Sequence, residues 1–280
     1  MNSSKKFSMV EFIKSSINKI LINNSYNAKI EIELILQKVL ACNRIDLYTK
    51  VNLVPNKEQL YIISDYIQRL HFGEPVQYIL NQAPFYGSTF FVNKEVLIPR
   101  FDTELIIEVL KQNQPANDLL EIGTGSGNIA ITIAKENLSD NILATDISED
   151  KISIAKYNNQ KITPKSNIKF IIDDFFNSTI VEKFDVIVSN PPYIPKNKIN
   201  TLDKLVKNNE PLNALSDDND GYDFYRQFSS SGNRLLKKNG FMLLEIGVDN
   251  NLEKLEHIFS NYRLEVFKDL NKISRIIKIY

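Results

Sequence analysis

The chain of 280 residues is poor in the side chains that build disulfides and metal centres. Its one cysteine, Cys42, excludes an internal disulfide, and it lies in an apolar helical pattern that is typical of a core residue. Only two histidines, His71 and His257, accompany it, so we expect no metal site. Any chemistry must therefore be carried by other side chains and by the backbone.

The chain also lacks a net charge and long apolar runs. Lys+Arg and Asp+Glu both number 34, so the composition does not indicate a protein with an extensive nucleic-acid-binding surface. Residues 1–72 are mildly basic, which allows at most a weak charge-steered contact. No apolar run approaches the roughly 18 residues of a membrane span, and the polar N-terminus does not resemble a signal peptide. We expect a cytoplasmic protein that is not associated with a membrane.

Three stretches near the N-terminus place apolar residues at helical spacing. They cover residues 9–21, 28–42 and 57–71, and Gly73 is expected to end the third. The simplest arrangement is a small all-α bundle over residues 1–73. We favour a docking function for this bundle over a plain stabilising cap, because its mild positive charge lies on a part without a catalytic motif.

An extended pattern follows the bundle. It runs from Pro75 to Ile98 and predicts a β-hairpin linker over residues 74–98. Asp102 is then expected to cap a helix that covers about residues 103–112.

Residues 99–280 alternate strands with helices, which predicts a doubly wound α/β domain with a mainly parallel sheet. The short connection between the last two strands predicts an antiparallel pair. Residues 196–220 lack periodicity and are expected to form a long loop beside the functional site. Strands are predicted at 118–122, 142–145, 168–172, 186–188, 241–246, 263–268 and 274–279, and helices at 129–135, 149–158, 222–237 and 251–260.

A glycine-rich loop joins the first predicted strand of this domain to its helix. It contains Gly123, Thr124, Gly125, Ser126 and Gly127 in the spacing G-x-G-x-G. Glycine permits positive φ and lets a ligand approach the backbone closely. The dinucleotide fingerprint G-x-G-x-x-G and the phosphate-binding Gly-Lys-Ser/Thr are both absent. The loop therefore argues against NAD and against ATP.

Acidic residues end the next two predicted strands. Asp146 comes about twenty residues after the loop, where a carboxylate can accept hydrogen bonds from both hydroxyls of a ribose. A helix cap is the alternative for Asp146. A ribose without a pyrophosphate fits S-adenosylmethionine. After the third strand, Asp173 or Asp174 could hold an adenine amino group, or could simply face solvent, and Phe175 could pack on the adenine.

Asn190-Pro191-Pro192-Tyr193 follows the buried strand that contains residues 186–188. Prolines end a strand, and the carboxyl ends of parallel strands are where ligands bind. The Asn190 amide oxygen and the neighbouring carbonyls could accept the N–H groups of a planar amide or amine. Asn-Pro is also a common turn signal. We favour a binding site, because the segment comes downstream of the glycine loop.

With these three features in order, the chain resembles the class I S-adenosylmethionine-dependent methyltransferases. More narrowly, it is similar to the release-factor glutamine N5-methyltransferases of the HemK/PrmC family. Residues 75–79 and 85–87 resemble the linker of that family, and residues 98–104 resemble its Pro-Arg-Pro-Asp-Thr-Glu signature. Residues 210–215 and 220–225 resemble the segment after its Asn-Pro-Pro-Tyr. Phe101 departs from the usual proline, and some relatives have tryptophan at the position of Phe175.

The resemblance implies a Rossmann-like class I methyltransferase domain with seven strands over residues 99–280. An N-terminal recognition domain precedes it in the chain. It implies that the cofactor is bound by Gly123, Thr124, Gly125, Ser126, Gly127, Asp146, Phe175 and Asn190. It implies that the substrate glutamine is held by Asn190, Pro191, Pro192 and Tyr193, with Asn190, Pro191 and Tyr193 catalytic. Arg100 and Thr103 are expected near the cofactor.

The implied activity is methyl transfer to the side-chain nitrogen of the glutamine in the GGQ motif of peptide chain release factors, by a protein that is expected to be monomeric. The Asn190 oxygen and the Pro191 carbonyl would accept the two amide hydrogens. Three alternatives remain open. They are methylation of a ribosomal-protein glutamine, methylation of an adenine or guanine amino group in DNA or RNA, and binding without catalysis.

Overall fold

The computed structural model describes residues 9–20, 27–50 and 53–280. The chain divides into two compact units, Met1–Asn81 and Gln82–Tyr280. Within the described ranges, none of the helices has the length and the apolar character that crossing a bilayer requires.

The described part of the first unit is helical. Its helices are α1 (Met9–Ile20), α2 (Ala28–Leu40), α3 (Asp46–Thr49), α4 (Lys57–His71) and α5 (Val76–Leu80). The three predicted helices are confirmed to within two residues, apart from residue 21, which lies outside the described ranges. Fully buried apolar side chains from four of these helices form one core: Ile32, Ile35, Leu36, Leu47, Ile63 and Ile79. Cys42 is half-buried and lines this core from its edge.

Local signals set both ends of α4. The Asn56 side chain accepts a hydrogen bond from the Gln59 backbone N–H (2.8 Å), and the Gln59 side chain accepts one from the Asn56 N–H (2.9 Å). This reciprocal pair is a capping box. At the other end Gly73 has a φ of +88°, so the helix ends where the glycine predicts.

The predicted extended conformation is wrong for the first part of the linker. Residues 76–80 form α5, which begins directly after Pro75. Val76, Ile79 and Leu80 recur at helical spacing and pack into the core of the first unit. Burial of this apolar face outweighs the β-branched and aromatic character that suggested a strand.

The predicted hairpin lies further along, within the second unit. Strands β1 (Ala83–Phe85) and β2 (Ser88–Phe90) pair in antiparallel fashion. Tyr86 and Gly87 connect them, and both have positive φ values, 45° and 69°. A two-residue turn of this kind matches the right-handed twist of the strands on either side.

The rest of the second unit alternates strands and helices as predicted. Its strands are β3 (Ala116–Ile122), β4 (Ser139–Asp146), β5 (Ile168–Ile172), β6 (Phe184–Ser189), β7 (Leu236–Glu245), β8 (Leu264–Lys268) and β9 (Ser274–Ile279). Its helices are α6 (Glu104–Lys111), α7 (Asn128–Lys135), α8 (Glu149–Ile162), α9 (Lys204–Asn209), α10 (Leu212–Leu215), α11 (Asp223–Leu235) and α12 (Leu252–Ile258).

The seven strands form one sheet in the order β5-β4-β3-β6-β7-β9-β8. β9 is antiparallel to both of its neighbours, which confirms the predicted antiparallel final pair, and the other pairings are parallel. Successive residues of the central strands contribute to opposite apolar clusters, as Leu119 and Leu120 do in β3. The sheet is therefore buried on both faces, as a doubly wound fold requires.

The strand order reverses at β3. From β3 the chain continues outward through β4 to β5 and then returns to the other side of β3 as β6. Connections that leave in opposite directions open a crevice at the carboxyl ends of the strands. The glycine loop follows β3 and Asn190 follows β6, so both lie at this crevice.

Candidate functional site

The glycine loop has a backbone that only glycine adopts readily. Gly123, Gly125 and Gly127 all have positive φ values, 76°, 53° and 80°. A Cβ at Gly125 would meet nothing within 4 Å, whereas one at Gly127 would lie 2.8 Å from Ile131 Cδ1. The start of the loop therefore faces open space, and its end packs closely against α7.

A buried carboxylate holds this loop from behind. Glu121 Oε2, at the end of β3, accepts hydrogen bonds from Thr124 Oγ1 (2.6 Å) and from the Ala130 backbone N–H (3.2 Å). Burial raises the pKa of Glu121 to about 8. Sequence reasoning did not assign Glu121, although an acidic residue within an apolar strand was a signal for it.

Asp146 lies at the end of β4 and is nearly fully buried. Its Oδ2 accepts a hydrogen bond from the Gly125 backbone N–H (2.9 Å), and its Oδ1 lies 3.6 Å from Lys151 Nζ. Lys151 Nζ also donates to Asn213 Oδ1 (3.5 Å). The carboxylate thus fixes the middle of the glycine loop, and Lys151 links it to the segment that contains α10.

A cavity of about 520 Å³ lies at the crevice. The residues proposed from the sequence that line it are Gly123, Thr124, Gly125, Ser126, Asp146, Phe175, Asn190 and Pro192. Arg100 and Thr103 line it as well. Gly127, Pro191 and Tyr193 do not. Tyr193 lines a smaller cavity of about 170 Å³, which shares Asn190 and Arg100 with the large one. Asn190 therefore lies between the two spaces.

Aromatic rings form one wall of the large cavity. Phe175 is buried, stacks on Phe224 (ring centroids 6.4 Å apart) and packs against Phe228 (4.5 Å). Phe176 is 45% exposed and meets Phe224 edge-on at 4.9 Å. Sequence reasoning missed Phe176 and Phe224. Phe224 comes from a helix about fifty residues away in the chain, so no local spacing connects it with Phe175.

The two acids beside this wall differ in their partners. Asp174 accepts hydrogen bonds from the Phe176 N–H (3.1 Å) and from Asn177 Nδ2 (2.7 Å), so it caps the 3₁₀ turn Phe175–Asn177. No hydrogen bond to the Asp173 carboxylate is found within the described ranges, and both acids line the cavity. Asp173 is therefore the acid that is available to a ligand.

The Asn-Pro-Pro-Tyr segment follows β6 in the chain and contacts the end of β7. Asn190 Nδ2 donates a hydrogen bond to Thr103 Oγ1 (3.1 Å), and the Tyr193 hydroxyl donates one to Glu245 Oε1 (3.3 Å). Burial and the neighbouring Glu245 charge raise the pKa of Tyr193. A Cβ at Gly247 would lie 2.7 Å from the Tyr193 ring, so that ring is seated against the backbone after β7.

The expectation of a long loop over residues 196–220 is wrong. The segment contains a 3₁₀ helix (Lys196–Thr201), α9 and α10. Glu210, between the two α-helices, is buried, where it accepts hydrogen bonds from the Ile98 N–H (3.3 Å) and from Arg100 Nη2 (2.5 Å). Helices this short show too few turns for their periodicity to be read from sequence.

The expected cap at Asp102 is wrong as well. The chain forms a 3₁₀ turn over Phe101–Thr103, and α6 begins at Glu104 with no side-chain cap. Asp102 Oδ2 instead lies 2.9 Å from Arg275 Nη2 on β9. A partner so distant in the chain cannot be read from local spacing.

Three further acids, Asp217, Asp220 and Asp223, bring carboxylate oxygens within 4.8 Å of one another. Asp217 accepts hydrogen bonds from the backbone N–H groups of Gly221 and Asp223, both at 3.0 Å. Asp220 pairs with Arg226 (2.5 Å), and this pairing lowers its pKa. These contacts order the start of α11, and the absence of a metal site stays a prediction.

Two family profiles match the chain. The profile described as "Methyltransferase small domain" matches residues 100–218, and the one described as "PrmC N-terminal domain" matches residues 18–80. Their ranges cover parts of both units of the fold.

Relatives that align with most of this chain match as well. The chain is 36% identical to a release factor glutamine methyltransferase of Bacillus cereus, over 88% of this chain and 90% of that protein. It is 34% identical to a release factor glutamine methyltransferase of Buchnera aphidicola, over 95% and 96%. Among solved structures, a methyltransferase from Pyrococcus furiosus superposes with a TM-score of 0.53 at 17% identity, covering 77% of this chain and 98% of that one. That likeness concerns the fold alone.

Proposed function

This chain belongs to the release factor glutamine methyltransferases, and we propose that it transfers a methyl group from S-adenosylmethionine to the side-chain amide nitrogen (N5) of the glutamine in the GGQ motif of peptide chain release factors. The observation that carries this proposal is the position of Asn190. Asn190 lines the same cavity as the glycine loop, so an amide held by Asn190 lies beside whatever the loop binds.

The large cavity fits the cofactor in its size and in its lining. The loop backbone at Gly123 and Gly125 borders open space, where a Cβ would meet nothing within 4 Å. We assign this backbone to the methionine and ribose parts, and Asp146 to the ribose hydroxyls. Phe175 and Phe176 would border the adenine, and Asp173 would accept hydrogen bonds from its amino group. When bound, S-adenosylmethionine supplies an activated methyl group on a sulfonium sulfur.

The substrate amide needs orientation more than activation by a base. Its nitrogen is a poor nucleophile because the lone pair is delocalised into the carbonyl, so the attack geometry at about 3 to 3.5 Å matters most. The Asn190 side-chain oxygen and the Pro191 carbonyl would accept the two N–H groups and stabilise the positive charge that develops on nitrogen. Tyr193 would pack against the flat amide.

The proton that leaves the methylated nitrogen goes to water in this scheme. Two carboxylates near the site have a raised pKa, Glu121 at about 8 and Glu245 at about 7. Neither lines the large cavity or the small one, so neither is placed to take a proton from the substrate. Loss of that proton follows methyl transfer.

We assign docking of the release factor to the N-terminal unit, within a cytoplasmic monomer that does not bind nucleic acid directly. Support comes from the match of residues 18–80 to the N-terminal domain profile and from two large aromatic residues, Tyr61 and Phe72, that are each 76% exposed. Exposed aromatic side chains are common anchors in protein interfaces.

Methyl transfer from labelled S-adenosylmethionine tests the function directly. The full chain should label a bacterial release factor on one glutamine, and replacing the GGQ glutamine with alanine should abolish the labelling. Parallel reactions with ribosomal proteins and with DNA should remain unlabelled. Label that enters DNA or a ribosomal protein instead of the release factor would contradict the proposal.

A further inference from the structure

Two buried polar side chains lie behind the Asn-Pro-Pro-Tyr segment, one in contact with Asn190 and one in contact with Tyr193. Thr103 Oγ1 accepts a hydrogen bond from Asn190 Nδ2 (3.1 Å), and Glu245 Oε1 accepts one from the Tyr193 hydroxyl (3.3 Å). Thr103 is 1% exposed and Glu245 is 2% exposed. Since both are shielded from bulk water, their hydrogen bonds to the segment are costly to lose.

The bond to Thr103 decides which end of the Asn190 amide faces the cavity. A primary amide side chain has one accepting end and one donating end. A substrate amide nitrogen offers only hydrogens, so it must meet the Asn190 oxygen. When Nδ2 is directed to Thr103, Oδ1 is directed away from it. The reversed amide would place an NH₂ group against the substrate NH₂ group, and no hydrogen bond could form.

The Thr103 hydroxyl can either donate or accept, and in this structure it accepts from the Asn190 amide. Glu245 holds the other end of the segment, because its Oε1 accepts from the Tyr193 hydroxyl. The second carboxyl oxygen of Glu245, Oε2, is buried and has no hydrogen-bond partner in the part of the chain that the structure describes.

We propose that Thr103 and Glu245 are positioning residues for methyl transfer. Thr103 holds the Asn190 amide with its oxygen toward the substrate nitrogen, and Glu245 holds Tyr193 by its hydroxyl. This role rests on the proposed function for its consequence in catalysis, but the orientation of Asn190 is a property of the protein alone. The two can therefore be tested separately.

The orientation is measured by NMR of the side-chain amide in ¹⁵N-labelled full chain, without any substrate. The Asn190 signal is assigned by its disappearance in Asn190→Asp. We expect its two protons to exchange slowly with water in the wild type and in Thr103→Ser. In Thr103→Val, which has nearly the same shape but no hydroxyl, exchange should be faster by about tenfold or more.

The catalytic consequence is measured with a release factor as substrate. Thr103→Val should lower kcat by roughly 10- to 100-fold through misplacement of the amide, while Thr103→Ser should stay near the wild type. The decisive measurement is a double-mutant cycle. In an Asn190→Ala background, Thr103→Val should lower kcat no further, because its effect passes through Asn190. A residue with a merely structural role would lower kcat again.

The outcomes separate the two proposals. A wild-type chain that leaves the release factor unmethylated defeats the proposed function, and the NMR measurement still decides the orientation. A wild-type chain that methylates the release factor, with equal kcat for Thr103→Val and Thr103→Ser, overturns the positioning role. Equal amide exchange in the wild type and in Thr103→Val overturns it as well.

Discussion

The ends of β3 and β6 are neighbours in the sheet, and each has a buried glutamate behind it, but the two are held in different ways. Glu121 fastens the glycine loop through Thr124 and Ala130, all within nine residues of chain. Glu245 and Thr103 fasten the Asn-Pro-Pro-Tyr segment from two other parts of the chain. The glycine loop is thus fixed by residues close to it in the chain, and the Asn-Pro-Pro-Tyr segment is fixed by tertiary packing.

Because the ends of β3 and β6 are held in different ways, we expect substitutions near them to affect different properties. Substitutions at the end of β3 and β4 should change cofactor affinity, and those around β6 should change turnover. Four measurements test whether cofactor affinity and turnover respond separately, from the largest expected effect to the smallest.

Asn190→Ala should have the largest effect. Removing the acceptor that orients the substrate amide should lower kcat by roughly 10²- to 10³-fold. Calorimetry should find the S-adenosylmethionine affinity within about threefold of the wild type, since that group accounts for only a small part of cofactor binding. An Asn190→Ala enzyme with full turnover would refute the proposal that Asn190 orients the substrate amide.

Asp146→Ala should weaken cofactor binding. Loss of the carboxylate that we assign to the ribose and that fixes Gly125 should raise the Kd for S-adenosylmethionine by roughly 10- to 100-fold. Asp174→Ala is the matched control, because Asp174 lines the same cavity but caps its own turn. Unchanged affinity in Asp146→Ala, measured by calorimetry, would refute the ribose assignment.

The pH dependence of kcat tests Glu245. Burial and the Asp102 charge raise its pKa to about 7, whereas Arg275 and the Tyr193 hydroxyl act in the opposite direction. Above pH 7 the carboxylate is charged and accepts from the Tyr193 hydroxyl. Below pH 7 it gains a proton and becomes a weaker acceptor, so it holds Tyr193 less firmly. We expect kcat to fall about tenfold between pH 8 and pH 6.

Glu245→Gln is the control for this profile, because it keeps the shape of the side chain and cannot titrate. Its kcat should be lower than that of the wild type at pH 8 and nearly flat down to pH 6. A variant that retains the full wild-type decline would show that another group titrates there.

Phe176→Ala should have the smallest effect. The ring borders the cavity and is 45% exposed, so truncation should cost about 1 kcal/mol of cofactor binding, or about a fivefold rise in Kd. Val181→Ala, at an 80% exposed position that does not line the cavity, should leave the Kd unchanged. Equal Kd values for the two variants would remove Phe176 from the cofactor site.

Much of the fold could be predicted because its signals are local. The run of Val186, Ile187 and Val188 predicted a buried strand, and the short connection before residue 274 predicted the antiparallel pair. The failures have a common cause. Helix α5 forms because its apolar face packs into the core of the first unit. Asp102 pairs with Arg275 on β9 instead of capping a helix. Contacts with distant residues override local preference in both cases.

The candidate site divides in the same way. Glycine spacing and the residues at the ends of strands pointed to the loop, to Asp146 and to Asn190, which line one cavity. The sequence did not predict that Tyr193 would lie on the far side of Asn190, or that Phe224 would stack on Phe175. Neither relation has a fixed spacing along the chain.

From the sequence alone one could determine where strands end, which backbone positions require glycine, and which side chains stand at the strand ends. These properties depend on a few successive residues and on the two-residue repeat of a strand. Only the tertiary structure decided that Thr103, Asn190, Tyr193 and Glu245 meet. The two hydrogen bonds among them join residues that are 87 and 52 positions apart in the chain, and only the packing of the sheet brings these segments within hydrogen-bonding distance.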